Sequence, residues 1–375
     1  MAGKIAQTLW INEPAFITGS DFNQLLELMS EARASDVTVR TGLPVMVKIH
    51  GAFHQATQRC ISAAESMEIL GWIFKSERAY AQICGGAPLD FAYSAKTRSG
   101  KSLRFRANAT SCDYKGGAGL HLTLRLIDST PPLPEDIGME AELLSTFSRA
   151  RGLVVVSGPT GSGKSTLLAV AARWMIERES RGFKLVTVEH PIEFLLEEIF
   201  TSTSFAVQTE VGRNVQSFEQ GAINALRQNA DAALIGECRE PSTVNVCLEL
   251  AREGHAVWTT AHATGVPESI ARLIRIHPVS EQESKAQELA NCLSLLISQK
   301  LVPSVNGQRV ALREFVEIDK YARERLSEGG AQGMAGVARQ ILARQGQSFA
   351  AAANEALRNG LITKAVAAEV IRDEL

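Results

Sequence analysis

Midway along the chain an apolar run, GLVVVS (152–157), meets GPTGSGKST (158–166). A glycine-rich turn between a buried strand and a helix lets backbone N–H groups face inward around an anion. The helix that follows, read as starting at Lys164, aims the positive end of its dipole at the same place. The spacing G-x-x-x-x-G-K-S predicts a triphosphate cradle built from Gly158, Pro159, Thr160, Gly161, Ser162, Gly163, Lys164, Ser165 and Thr166. In it Lys164 reaches the β- and γ-phosphates and the Ser165 hydroxyl ligates Mg²⁺. ATP with Mg²⁺ is the expected ligand. Leu167, Leu168, Ala171, Trp174 and Met175 give the helix one apolar face.

Hydrolysis needs more than a cradle, because water must be oriented and charge on the γ-phosphate must be met. Glu189 ends the apolar run FKLVTVE, and Glu237 follows AALIG. In an open parallel sheet the carboxyl ends of the strands converge on the ligand crevice, so both acids are expected near the phosphates. One would polarise water while the other holds Mg²⁺ through its shell; a capping or salt-bridging role is the plainer alternative for each. His262, in TTAHAT, follows a third apolar run. It reads as a γ-phosphate sensor or as a satisfied structural histidine, and its place on the same rim favours the sensor. His255, at the other end of that run, reads as structural or interfacial. Arg104 and Arg106 alternate along one strand and share a face, and Arg125 lies on a later strand. They read as solvated surface, or as arginine fingers acting in cis or from a neighbouring subunit.

The rest of the chain supplies two settings. Residues 20–127 read as an α/β unit. SDFNQLLELMSEARAS is a helix with a Ser/Asp cap and Leu25, Leu28 and Met29 on one face. VTVR and VMVKIHG form a hairpin through TGLP. A helix AAESMEILGWIF follows, then strands LDFAYSA, SLRFRANAT and LHLTLRLI, separated by TRSGK and YKGGAG. STPPLPE (129–135) continues neither strand nor helix. From about 140 to 300 apolar strands alternate with helical patterns, the signature of a parallel sheet covered on both faces. One of those helices is read as capped by Ser242, and residues 281–300 as a single amphipathic helix bearing Leu289, Cys292, Leu293, Leu296 and Ile297. The last 70 or so residues open with a strand, RVALREFVEI, and end in helices rich in Ala, Arg and Gln. The expected division is an N-terminal domain over 1–128, a linker over 129–139, an ATPase domain over 140–304 and a mostly helical region over 305–375.

Composition narrows the partners. The chain has 375 residues, 45% of them hydrophobic, enough for real cores, and a formal net charge of −2. That balance offers no bulk attraction to nucleic acid or anionic lipid. No apolar run approaches the roughly 20 residues of a spanning helix. MAGKIAQTLWINEP has no sustained apolar stretch, so no signal peptide is expected and a cytoplasmic location is. Six scattered cysteines without a CxxC pair read as buried reduced thiols rather than a zinc site.

Together these motifs resemble the secretion ATPase superfamily, the motors of type II secretion, type IV pili and type IV secretion and conjugation. GPTGSGKST is similar to its Walker A. VTVEHPIEF resembles its Asp box, with Glu189 and Glu193 at acidic positions. QTEVGRNVQSF followed by AALIGECRE resembles the stretch into its unusual Walker B, with Glu237. GHAVWTTAHA resembles its His box, with His262. RFRAN and LRLI resemble its arginine-bearing strands, and Ala34–Val37 with Gly42–Pro44 resembles the start of its PAS-like N-terminal domain. The family usually has Asp where His190 and Asn214 stand. The retraction motif AIRNLI is absent as such; its nearest stretch is residues 322–326. The tetracysteine insertion of type II members is missing too. The resemblance is nearest to the DotB-like group of type IVB secretion and conjugative plasmid transfer.

The resemblance implies an α/β fold: a C-terminal RecA-like P-loop NTPase domain with a parallel sheet, an N-terminal α/β PAS-like domain with an antiparallel sheet, and a C-terminal helical segment. It implies an ATPase working as a homo-hexamer, recruited peripherally to the cytoplasmic face of an inner-membrane secretion or conjugation complex. The alternatives are a pilus retraction motor and, from another class, an ATP-binding scaffold with little turnover. A DNA-translocating motor is disfavoured by the acidic balance and the lack of a basic, aromatic-rich stripe, so no direct nucleic-acid binding is expected.

Overall fold

The computed structural model describes residues 10–97, 100, 102–127, 130–178 and 181–373. Most of the N-terminal stretch, parts of TRSGK, and residues 128 and 129 at the start of the expected linker lie outside the described residues. The chain divides into two compact units: residues 1–129 with 190–193, and residues 130–189 with 194–375.

The first unit runs α1 (Gly19–Glu31), β1 (Ala34–Arg40), β2 (Met46–Ile49), β3 (Ala52–Gln55), α2 (Ala63–Phe74), α3 (Ala79–Cys84), β4 (Leu89–Lys96), β5 (Ser102–Tyr114) and β6 (Gly117–Ile127). The strands form an antiparallel sheet in the order β3-β2-β1-β6-β5-β4. Its core side alternates along β5 as Leu103, Phe105, Ala107 and Ala109, against Phe22, Leu25, Leu26 and Met29 of α1. The helix cap falls earlier than expected, on Thr18, which exchanges hydrogen bonds with Asp21. Leu28 is only half-buried, and Phe22 and Leu26 carry the core contact instead. The short elements β3 and α3 had no clear period to announce them.

Glu65 locks the entry to α2. Its carboxylate accepts the N–H of Ser62 at 3.0 Å and of Ile17 at 2.7 Å, and pairs with the Arg59 guanidinium. Burial works to raise its pKa; the Arg59 contact and the N–H groups of Ile17 and Ser62 outweigh that and hold it at about 2.

The second unit runs β7 (Gly152–Ser157), α5 (Lys164–Arg178), β8 (Lys184–Glu189), β9 (Phe205–Glu210), α6 (Phe218–Arg227), β10 (Ala232–Ile235), α7 (Pro241–Arg252), β11 (Ala256–Ala261), α8 (Val266–Arg275), α9 (Gln282–Cys292), β12 (Leu293–Pro303), β13 (Arg309–Glu317), α10 (Lys320–Gln345), α11 (Phe349–Arg358) and α12 (Lys364–Arg372). A 3₁₀ turn (Pro134–Ile137) and α4 (Ala141–Arg149) precede them. The sheet order is β13-β12-β7-β11-β10-β8-β9, with every neighbouring pair parallel except β12 and β13. β7, β10 and β11 are buried along their whole length, as a sheet covered on both faces requires.

Two local expectations are corrected. Residues 281–300 are not one helix: α9 ends at Cys292, and Leu293 turns directly into the extended backbone of β12. Leu293, Leu295, Leu296 and Ile297 suit a helical stripe, but they form part of a continuous apolar run. That run takes hydrogen-bonded neighbours on both sides, β7 and β13. Ser242 does not cap α7; Pro241 occupies the first turn and Glu240 precedes it. Cys238, Cys247 and Cys292 are buried as expected, whereas Cys60 and Cys84 are exposed.

Because the native pKa of Glu65 lies below its value in an unfolded chain, its contribution is present above about pH 4.5 and is lost as pH falls toward 2. Glu65→Gln is expected to cost the first unit about 3 kcal/mol at pH 7 and to flatten its acid sensitivity. Hydrogen exchange of the β5 and β6 amides in urea, across that pH range, measures both.

Candidate active site

The carboxyl ends of the parallel strands form one rim of the second unit. In spatial order the rim carries Gln299 on β12, the loop after β7, His262 after β11, Glu237 beyond β10, Glu189 at the end of β8 and Glu210 at the end of β9. Strands stand about 4.8 Å apart. Glu237 therefore stands two strands from β7, about 10 Å, and Glu189 three strands, about 14 Å.

The loop after β7 has the shape of an anion cradle. Gly158, Gly161 and Gly163 have φ values of 148°, 77° and 85°. Gly158 is required for space as well, and Gly163 lies close against the Gln299 side chain. A Cβ on Gly158 would lie 2.3 Å from the Gln299 carbonyl oxygen, and one on Gly163 would lie 2.9 Å from Gln299 Nε2. Helix α5 begins at Lys164, so its first N–H groups, which have no intrahelical acceptor, head into the loop. Lys164 is buried, and its ammonium donates to the carbonyls of Gly158 at 2.9 Å and Pro159 at 3.0 Å. The cation is thus fixed against the backbone that would surround a phosphate. Ser165 is exposed at the start of the helix, and Thr166 is half-buried. A cavity of about 620 Å³ opens beside Gly163 and Thr166 and extends along the 135–140 segment and α11, giving room for the remainder of a nucleotide.

Glu237 and His262 are brought together. His262 Nε2 lies 2.9 Å from Glu237 Oε1, and Arg239 Nε lies 2.6 Å from the same oxygen. The backbone sets this up: the Cys238 N–H donates to the Thr260 carbonyl, and the Thr260 hydroxyl donates to the Gly236 carbonyl at 2.6 Å. The two strand ends are thereby tied on either side of Glu237. Burial lowers the His262 pKa. Glu237 works against that, while Lys164, Arg239 and Arg272 lower it further. A neutral imidazole facing a carboxylate through Nε2 carries its proton there and donates it.

Glu189 is held separately. Its Oε1 accepts from the Thr187 hydroxyl at 2.6 Å and from Gln208 Nε2 at 3.1 Å. Glu210, buried, is its register partner on β9. Asn214 folds back so that its side-chain oxygen accepts the Glu210 N–H at 2.9 Å. An Asp would make the same bond, so Asn214 keeps the turn and removes one negative charge. His190 follows Glu189 and is joined to Pro191 by a cis peptide bond.

Arg104, Arg106 and Arg125 belong to the first unit. They share the sheet face opposite Phe105, and Arg106 stands directly across from Arg125. Arg104 is buried and donates to the Ile192 carbonyl at 2.7 Å and the Ser94 hydroxyl at 3.3 Å. Arg106 pairs with Asp90 and Glu193, and Arg125 with Asp36. Each therefore already has a protein partner.

Sequence reasoning missed Gln299 and Arg313, both buried, and the hydroxyl of Thr260. A strand reading of Leu293–Ile297 would have carried β12 past the end of β7 and set Gln299 beside the loop; the helix reading hid it. Among the described residues no group of three or more His, Cys, Asp or Glu side chains could hold a metal by itself. The exposed Ser165 hydroxyl at the start of α5 is an oxygen donor of the kind a magnesium ion carried on phosphate oxygens accepts.

A glycine cradle, a fixed lysine and acids along the rim of a parallel sheet define a P-loop ATPase. Residues 17–364 match the family described as Type II/IV secretion system protein, and the chain belongs to that family. It is 29% identical over 331 residues to the type IV pilus retractation ATPase PilT of Pseudomonas aeruginosa, spanning 84% of this chain and 91% of that one. The crystal structure of the Legionella pneumophila ATPase DotB is 33% identical, with a TM-score of 0.90, covering 96% of this chain and 98% of that one. The pilus retraction motor PilT with bound ADP is 27% identical, with a TM-score of 0.78, covering 93% of this chain and 96% of that one.

The His262 imidazole is expected to titrate below its ordinary value near 6.5. In Glu237→Gln the midpoint falls further, because the one charge that raises it is gone. Histidine-selective NMR titration reads this directly; an upward shift would contradict the pairing.

Proposed function

We propose that the chain binds Mg²⁺–ATP in the 158–166 loop, hydrolyses it, and works as a homo-hexamer whose inter-domain motion powers a type IV secretion apparatus of the IVB or conjugative kind. The observation that carries this reading is the loop itself: glycines with positive φ, a helix starting at Lys164, and a lysine anchored at Gly158 and Pro159. The likeness to DotB over nearly the whole chain favours type IVB secretion. The likeness to PilT supports pilus retraction as the second reading. Among the described residues no helix is long and apolar enough to cross a membrane, which is in keeping with a cytoplasmic motor recruited by partners to the inner membrane.

In this reading the loop amides and Lys164 bind the β- and γ-phosphates, and Ser165 with Glu237 holds magnesium. The metal, when bound, draws charge off the phosphate oxygens as the terminal bond breaks. Glu189, oriented by Thr187 and Gln208, positions the attacking water. His262 reports the γ-phosphate to Glu237, its hydrogen-bond partner. Arg104, Arg106 and Arg125 supply positive charge to a nucleotide, in cis or from a neighbouring subunit, by exchanging their present partners. His190 and Asn214 leave the metal region less negative than the family pattern does. Residues 131–134 are the hinge about which ATP binding and hydrolysis move the domains.

Lys164→Ala is expected to lower steady-state phosphate release on the order of a hundredfold or more. Glu189→Gln should keep nucleotide binding and lose turnover by roughly 10²–10³, leaving ATP trapped. Wild-type rates in the first variant would overturn the site; unchanged turnover in the second would move the water-positioning role to Glu237. Binding without phosphate release in the wild type would select the scaffold reading. Loss of twitching rather than of secretion or transfer in a deletion strain would select pilus retraction.

A further inference from the structure

Beneath the phosphate-binding loop runs a line of buried polar side chains that the chemistry above does not use. It starts at Gln299, the residue after Ser298, which pairs with Ser157 at the end of β7. Gln299 Nε2 donates to the Ser162 carbonyl, in the middle of the loop, at 2.6 Å. The backbone and side chain of the same residue fill the spaces left by the missing Cβ atoms of Gly158 and Gly163. Gln299 Oε1 accepts from Arg313 Nε at 2.7 Å, and the two residues stand directly opposite each other on β12 and β13.

Arg313 is 0% exposed. Its guanidinium donates to the carbonyl of Gly138 at 2.8 Å, the carboxylate of Glu140 at 2.9 Å and the carbonyl of Ile137 at 2.9 Å. Those three groups form the stretch by which the chain leaves the proline-rich 131–134 segment and enters α4. Upstream, the Pro131 carbonyl accepts from Arg173 of α5 at 2.6 Å. The helix that opens at Lys164 and the strand pair beneath the loop therefore hold the same connecting segment at two places.

The direction of every bond in the line is forced. Arginine has only donors, so Gln299 must turn its oxygen toward Arg313 and its NH₂ toward Ser162. Arg313 has a flat, fixed fork, so moving Gln299 tilts the donors that hold Ile137 and Gly138. Burial lowers the Arg313 pKa and Glu140 opposes it. Breaking the line anywhere strands a buried polar group or charge, so a shift at one end is cheaper to pass on than to absorb. The Ser162 hydroxyl is buried and has no hydrogen-bond partner among the described residues, so no side-chain bond resists a turn of this peptide.

We propose that Gln299 and Arg313 are positioning residues that relay the state of the phosphate-binding loop to residues 137–140. Phosphate entering the loop reorients the Ser162 peptide. Gln299 follows, Arg313 turns, and the anchor at the end of the connecting segment is reset. The proposal rests on the ATP-binding reading of the loop and adds the means by which occupancy is felt at the hinge.

The test uses the full chain, ADP as probe, calorimetry for binding, and hydrogen exchange of residues 137–142 and 158–166. In the wild type, saturating ADP is expected to slow exchange in both stretches. Gln299→Leu removes both bonds and should weaken ADP binding about tenfold. Once saturated, it should protect 158–166 and leave 137–142 unresponsive. Gln299→Glu keeps an acceptor for Arg313 but replaces the donor to Ser162 with a carboxylate oxygen that faces the Ser162 carbonyl. With the Arg313 ion pair retained, it should cost less stability than Gln299→Leu, weaken ADP binding through its added negative charge, and at saturating ADP still lose the 137–142 response, so it carries the test if Gln299→Leu does not fold. Equal responses of 137–142 in wild type and Gln299→Glu would overturn the relay. So would a wild-type 137–142 stretch that ignores bound ADP. An absence of binding heat in the wild type would sink the nucleotide reading itself, and the relay with it.

Discussion

A loop that must turn most of its N–H groups inward for an anion has few left to hold its own shape; here one, from Ser162, closes on the Pro159 carbonyl at 3.2 Å. The rest of its shape is held from outside, through its carbonyls. Lys164 grips Gly158 and Pro159, Gln299 grips Ser162, and the Gln299 carbonyl oxygen fills the space a Cβ on Gly158 would need. Arg313, buried to the last atom, keeps Gln299 in place and is itself neutralised by Glu140. A cradle fastened in this way is largely formed before the ligand arrives, with the Ser162 peptide left to adjust, and a preformed cradle is what electrostatic binding in a low-dielectric site rewards.

The parallel sheet does the rest by making strand ends into neighbours. β7 delivers the loop, β11 delivers His262, and β10 delivers Glu237 two strands away, close enough for His262 and Glu237 to bond. Glu189 comes from the next strand over and is oriented by side chains of its own neighbourhood, Thr187 and Gln208. Two carboxylates with different partners, at different distances from the loop, suit different tasks. That separation is the physical basis for assigning water to one and metal to the other. Within the first unit, Arg106 and Arg125 share a sheet face and are balanced by Asp90, Glu193 and Asp36.

Much of this could be read from the residues because the informative signals were local. A strand, a glycine turn and a lysine are consecutive in sequence, so the cradle was legible. Apolar runs ending in Glu189, Glu237 and His262 were legible as strand ends, and the parallel sheet then placed them on one rim. Gln299 and Arg313 were not legible, because their importance lies in what they touch across 137 and 175 residues of sequence. Leu293–Ile297 misled for a related reason: a short apolar run fits a helical stripe and a buried strand equally well, and only hydrogen-bonded neighbours on both sides decide between them. Thr18 rather than a later residue caps α1 because a reciprocal bond with Asp21 is available there, a choice made by geometry among several plausible caps.

The most direct measurement is a crystal structure with a nucleoside diphosphate and magnesium. The β-phosphate is expected inside residues 158–166, bonded to backbone N–H groups and within hydrogen-bond distance of Lys164 Nζ, with Ser165 beside the metal. A nucleotide bound elsewhere while that loop stays empty would contradict it.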